Sequence, residues 1–162
     1  MNHLILLLAG CALLALPLVA QGKKTMPTID PKKVAHTWDI GMRGFEHFKA
    51  GLATGQWQPF LAMLTDDFTF YFPQGKYLGK HVGKDKAAEF FQYVSQAFGA
   101  DGMHVTEVMH VTASETTIVF EFRDEGKIFG NAYKNRVAVS WDIRGDKIAG
   151  YREYFGSDGK SN

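Results

Sequence analysis

The chain has 162 residues, of which 46% are hydrophobic and 22% charged, and its formal net charge is +1. This length supports one domain with a sizeable core, and the composition excludes a disordered chain. The balanced charge provides no overall field to draw in nucleic acid or a membrane surface. Aromatic residues are frequent, with 13 Phe, 6 Tyr and 3 Trp, enough to fill a core, line a pocket or cover an interface. The one cysteine, Cys11, leaves no intrachain disulfide.

In chain order, the first segment is apolar from Leu4 to Ala20, broken by Gly10, Cys11 and Pro17 and followed by Lys23 and Lys24. It reads as a secretory signal peptide over 1–22, with small residues at Ala20 and Gly22 before the polar boundary. A retained anchor is the competing reading. Leu8-Ala9-Gly10-Cys11 also resembles the bacterial lipobox, which would attach the protein to a membrane through a lipidated Cys11. The expected location is therefore secreted or periplasmic, or lipid-anchored through Cys11. Residues 23–30 read as a short leader.

Asp30-Pro31 reads as a helix N-cap followed by proline at the first helical position. Val34, Trp38, Met42, Phe45, Phe48 and Leu52 follow at spacings of three and four, the pattern of one helical face, while Gly41, Gly44 and Gly51 predict a bend. Trp57, Phe60, Leu61 and Leu64 form a second, shorter helical stripe. It ends near Thr65-Asp66-Asp67, where the adjacent acids read as a turn that launches a strand from Phe68 to Phe72. Lys76 to Gly79 reads as a loop or short strand, and Lys84 to Phe98 as a third helix. Strands are expected over His104–Val111, Thr116–Arg123, Ile128–Ile143 and Lys147–Phe155, with turns at Asp124-Glu125-Gly126 and Arg144-Gly145-Asp146. A polar tail occupies 157–162.

The segments GLATGQW, FLAMLTDDFTFYFP, YLGKHVGKDKAAEFF and YKNRVAVSWDIRGDKIAGYREYF, in this order and spacing, resemble the NTF2-like, or SnoaL-like, superfamily over about residues 32–156. The resemblance implies an α+β fold: an NTF2-like cone over 31–156, with three N-terminal helices packed on a strongly curved, mainly antiparallel sheet around a cavity. It also implies a homodimer joined through the sheet face, where Trp141 and Tyr154 are expected. The superfamily holds isomerases, cyclases, dehydratases, epoxide hydrolases and proteins with no catalytic activity, so the fold implies a cavity and not a reaction.

The ketosteroid isomerases of that superfamily use an aspartate base with a tyrosine and a protonated aspartic acid. By the resemblance these three positions fall on Phe72, on Phe48 and near Ala138. Phenylalanine cannot take a proton and alanine cannot donate one, so isomerase chemistry by that set is not expected.

Alternation along the last strand puts Tyr151, Glu153 and Phe155 on one face, which the resemblance turns inward. A glutamate there must be paired, hydrogen-bonded or protonated, and it is the leading candidate for a general base. An ion pair with Arg136 or Arg123 is the structural alternative. Tyr133 and Asn135 share a face and offer a hydroxyl and an amide. Asp39 is a further catalytic candidate near the cavity rim. Trp38, Phe48, Phe70, Phe72, Tyr151 and Phe155 are expected to line an apolar ligand site.

The five histidines after residue 30 show no short metal-ligand spacing, and no phosphate-binding or dinucleotide motif occurs. No metal or cofactor is therefore expected, and no nucleic-acid partner. The favoured function is binding of a small apolar or aromatic molecule. The alternative is a hydrolase, dehydratase or isomerase that uses Glu153, Tyr133, Asn135 and Asp39.

Overall fold

A computed structural model describes residues 28–156. The signal segment, Cys11 and the polar tail 157–162 lie outside the described residues. Three helices, α1 (Pro31–Thr54), α2 (Gln58–Ala62) and α3 (Lys84–Phe98), pack on a six-stranded curved sheet. Its strands are β1 (Leu64–Phe72), β2 (Gly79–Val82), β3 (Met103–Ala113), β4 (Thr117–Ile128), β5 (Asn131–Arg144) and β6 (Lys147–Gly156), in the order β2-β1-β6-β5-β4-β3. All neighbours are antiparallel except β1 and β6, which run parallel. The fold is the expected α+β cone, and one layer of helices covers one face of the sheet.

Asp30 caps α1 as anticipated, its carboxylate accepting the Lys32 N–H at 2.9 Å with Pro31 in the first turn. The bend predicted from the α1 glycines does not break the helix, which runs for 24 residues. The glycines serve close packing instead. A Cβ on Gly41 would stand 2.6 Å from Ile118 Cδ1, one on Gly44 2.8 Å from Ile148 Cδ1, and one on Gly51 2.3 Å from the Trp57 ring. The helix therefore lies against the sheet and against Trp57 at backbone distance. Phe45 can then stack on Phe120 at 4.2 Å, and Trp57 on Phe91 at 4.5 Å. The Trp57 indole N–H donates to Ser95 Oγ at 2.8 Å, which satisfies the buried nitrogen.

Four sequence expectations need correction. Leu64, expected in the second helix, begins β1, so Asp66 and Asp67 lie within the strand and not in a turn before it. Pairing of β1 with β6 shifts register between Leu64 and Thr69, and both acids are exposed there, with Asp67 bonded to Arg144. The short strand falls at Gly79–Val82, after a single 3-10 turn over Gly75–Tyr77. Asp124-Glu125-Gly126 does not turn. β4 continues to Ile128, and the reversal falls at Phe129-Gly130. Trp141 faces the core with no exposed surface and cannot serve the outer sheet face, where Tyr154 does stand.

The Phe129-Gly130 reversal is a two-residue hairpin with positive φ at both positions, 48° and 83°. Such turns match the twist of the flanking strands, but they favour Asn, Asp or Gly at the first position. Phenylalanine there is unusual and strained.

Candidate functional site

Strand alternation builds the site. Phe68, Phe70 and Phe72 of β1 face the helices, as do Phe120, Phe122 and Asp124 of β4 and Tyr151, Glu153 and Phe155 of β6. On β5 the same face carries Tyr133, Asn135, Val137, Val139 and Trp141. The register sets Asp124 opposite Asn135, Phe122 opposite Val137, and Val139 opposite Glu153. Between this concave face and α1 and α3 lies a cavity of about 310 Å³. Its walls are mostly aromatic and aliphatic: Phe48 and Leu52 from α1, Phe90, Phe91, Val94 and Phe98 from α3, and Phe72, Phe122 and Phe155 from the sheet. Phe129, at the hairpin tip, lines it with 68% of its own surface exposed. Its N–H donates to the Ala97 carbonyl at 2.8 Å, joining the hairpin to the end of α3.

Polar groups gather in one recess of the cavity. Asp124, Tyr133, Tyr151 and Glu153 all line it. The Tyr151 hydroxyl donates to Glu153 Oε2. Asn135 does not line the cavity but donates its amide N–H to the Tyr133 oxygen at 2.7 Å, while its carbonyl accepts the Arg136 N–H at 2.9 Å. Asp124 is 2% exposed, and no group among the described residues reaches its Oδ1.

Burial governs the protonation of this recess. It pushes the Asp124 carboxyl up to about 7. It pushes Glu153 up to about 8, with the Tyr151 hydrogen bond opposing and the Asp124 charge assisting. Burial likewise raises the Tyr151 phenol, then the Glu153 charge does, and it raises the Tyr133 phenol, then the Asp124 charge. The four groups thus respond to one another as one electrostatic unit.

The sequence-predicted residues divide. Phe48, Phe72, Tyr133, Tyr151, Glu153 and Phe155 come together around the cavity. Phe70 lies behind its wall, buried between His81 and Phe90 at 4.7 and 4.8 Å. Trp38 and Asp39 are not at the mouth. They sit on the outer side of α1 in a separate surface depression with His36, Arg43 and Asp146. The arginine pairing considered for Glu153 gives way to the bond with Tyr151, and Arg123 reaches Glu107 at 3.2 Å on the other side of the sheet. Ala138 faces outward opposite Glu121 and Tyr154, so Val137 and Val139 fill the inner positions beside it.

Asp124 is the member that sequence reasoning missed. Its signal was parity, since Ile118, Phe120, Phe122 and Asp124 alternate without a break. Among the described residues no group of three or more His, Cys, Asp or Glu side chains is placed to hold a metal ion, and no helix is long and apolar enough to cross a membrane.

The fold and this walled cavity define a SnoaL-like domain. The profile of that family, described as the SnoaL-like domain, matches residues 45–151, and the chain belongs to it. The chain is similar to an NTF2-like protein from Anabaena variabilis ATCC 29413, with 61% identity and a TM-score of 0.74 over 78% of this chain and 94% of that one. It shares its fold with a putative polyketide cyclase from Xanthomonas campestris pv. campestris, at 19% identity and a TM-score of 0.63, covering 76% and 93% of the two chains. It also shares it with an epoxide hydrolase of the LEH-like type from M. tuberculosis, at 18% identity and a TM-score of 0.58, covering 73% and 84%. A search of curated proteins finds no match.

Proposed function

We propose that the protein binds a small, mainly apolar molecule of ring-system size, with its polar end in the recess of Asp124, Glu153, Tyr133 and Tyr151. The observation that carries this reading is the mainly aromatic cavity of about 310 Å³ with a few polar groups, among them Asp124, Glu153, Tyr133 and Tyr151, the usual make-up of a small-molecule site. Titration with a hydrophobic naphthalene-based fluorophore tests it. Saturable one-to-one binding is expected, with a change in the emission of Trp57, which stacks on the cavity residue Phe91. Val94→Phe fills the cavity and abolishes binding while the near-ultraviolet circular dichroism stays native. Equal binding by this variant sinks the reading.

Catalysis is the second reading. It is favoured by two carboxyls that titrate near neutral pH beside two phenols, the equipment of general acid–base chemistry. Hydrolysis, dehydration or isomerisation of the bound molecule would follow. The names of the fold neighbours describe those proteins; what they lend here is the shared architecture. A turnover assay on any confirmed ligand, with Asp124→Asn as the comparison, separates binding from catalysis.

Export and pairing complete the proposal. The apolar run from Leu4 to Ala20 supports a protein that works outside the cytoplasm, and intact-mass measurement distinguishes cleavage near Gly22 from lipidation at Cys11. The outward-facing Tyr71 and Tyr154 support a dimer through the sheet face, which light scattering tests directly.

A further inference from the structure

We infer that the cavity selects an organic ammonium ion, a protonated amine on a ring-sized apolar body, whose charged end is received by the recess of Asp124 and Glu153. This rests on the ligand-binding reading above and adds the ligand's chemical class.

With its two carboxyls ionised, the recess is rich in acceptors and poor in donors. The Tyr151 hydroxyl is committed to Glu153, and both ends of the Asn135 amide are engaged, by Tyr133 and by the Arg136 N–H. Tyr133 keeps one O–H to give. Against it stand Asp124 Oδ1, which nothing among the described residues reaches, and the remaining oxygens of both carboxyls. A buried acceptor left without a donor is costly, so a ligand that brings donors is favoured. An ammonium brings three donors and a positive charge, a hydroxyl brings one donor and no charge, and a carboxylate brings only acceptors and a like charge.

Among the described residues, the one lysine or arginine that lines the cavity is engaged away from the two carboxyls. Lys76 lines the cavity, but its ammonium lies over the rings of Tyr77 and Tyr93, at 5.4 and 5.5 Å. The groups from α1 and α3 that line the cavity are apolar apart from the Tyr93 phenol, so the helices add no charge from above. Phe122, Tyr133 and Tyr151 line the same cavity, and aromatic rings attract a desolvated cation that meets their faces. Since burial lifts Asp124 and Glu153 to about 7 and 8, an arriving ammonium also shifts them toward the ionised form, and protons leave.

The test is isothermal titration of the purified protein near pH 7.5 with three probes on one body: 1-naphthylmethylamine, 1-naphthylmethanol and 1-naphthoic acid. The amine is expected to bind at least tenfold tighter than the alcohol and the acid. Its apparent enthalpy is expected to change with the ionisation heat of the buffer, reporting proton release. In the double variant Asp124→Asn, Glu153→Gln the amine-to-alcohol affinity ratio falls to near one, while Asp39→Asn, outside the cavity, leaves it unchanged. If the alcohol or the acid binds as tightly as the amine, the ammonium inference is overturned and the cavity reading stands. If no probe binds, both are overturned.

Discussion

Asp124 on β4 stands directly opposite Asn135 on β5, yet the asparagine gives its amide to Tyr133 and leaves Asp124 Oδ1 without a partner. A neighbour able to satisfy the carboxyl is thus turned away from it. The consequence is an acid whose charged form is held at a cost inside an aromatic cavity.

That cost sets a pH dependence of stability. The ordinary values are 3.8 for Asp124 and 4.5 for Glu153, and the folded values are about 7 and 8. Between them the folded state holds more protons than the unfolded state. The stability contributed by the two groups is therefore full below the ordinary values and is lost as pH rises toward the folded ones, at up to about 1.4 kcal/mol per pH unit for each group. Asp142 works in the opposite sense, because Arg152 holds its carboxyl low, and its contribution disappears as pH falls below 3.8. Urea midpoints are expected to decline from pH 5 to pH 8, and Asp124→Asn to flatten the decline. Parallel curves for the two proteins would contradict the assignment.

Tyr151→Phe removes the hydroxyl that Glu153 accepts. That hydrogen bond lowers the Glu153 carboxyl, so its loss moves the titration of Glu153 further above 8. Carbon-13 NMR of the carboxyl, followed across pH 5 to 10, reads the shift. A move in the acidic direction would show that the hydroxyl was not supporting the charged form.

Gly51→Ala forces a methyl to within 2.3 Å of the Trp57 ring, which is itself fixed by Phe91 and Ser95. Overpacking of this kind costs about 1–3 kcal/mol, against the small gain in helix propensity. Denaturant unfolding should show the loss, together with altered Trp57 emission in the folded state. A stabilised variant would mean that the ring moves aside freely.

Phe129→Asn replaces a strained residue at φ 48° by one that tolerates this conformation. Stability is expected to rise by about 1 kcal/mol. Affinity for the cavity ligand is expected to fall, because the ring that lines the cavity is gone. Opposite movements of melting temperature and dissociation constant are the signature, and a loss of both together would place Phe129 in the core instead.

Much of this was legible in the sequence. The bounds of α3 follow from its apolar spacing and from Gly99, and the pairing of Tyr151 with Glu153 on one face follows from strand alternation. The misreadings have physical sources. Trp38 joined the apolar spacing of α1, but that helix turns Thr37, Ile40, Gly41, Gly44, Phe45 and Phe48 to the core. Glycines carry no hydrophobic signal, so the face that packs most closely is the one a hydropathy pattern sees least. Asp124-Glu125-Gly126 has the chemistry of a turn, and its place in a strand is set by twelve consecutive cross-strand partners on β5. The actual turn, with phenylalanine in a left-handed conformation, carries no local warning. Tertiary context decides each of these positions, and local preference does not.

The parallel seam between β1 and β6 also bears on how the cavity comes into being. Phe70 meets Tyr151, and Tyr71 meets Arg152, across some eighty residues of intervening chain. Closing so large a loop is expected to delay these contacts relative to the local hairpins β3–β4, β4–β5 and β5–β6. Asp124, Tyr133, Tyr151 and Glu153 all belong to the β4–β5–β6 meander, so the chemistry of the recess is expected to assemble before β1 closes the wall beside it.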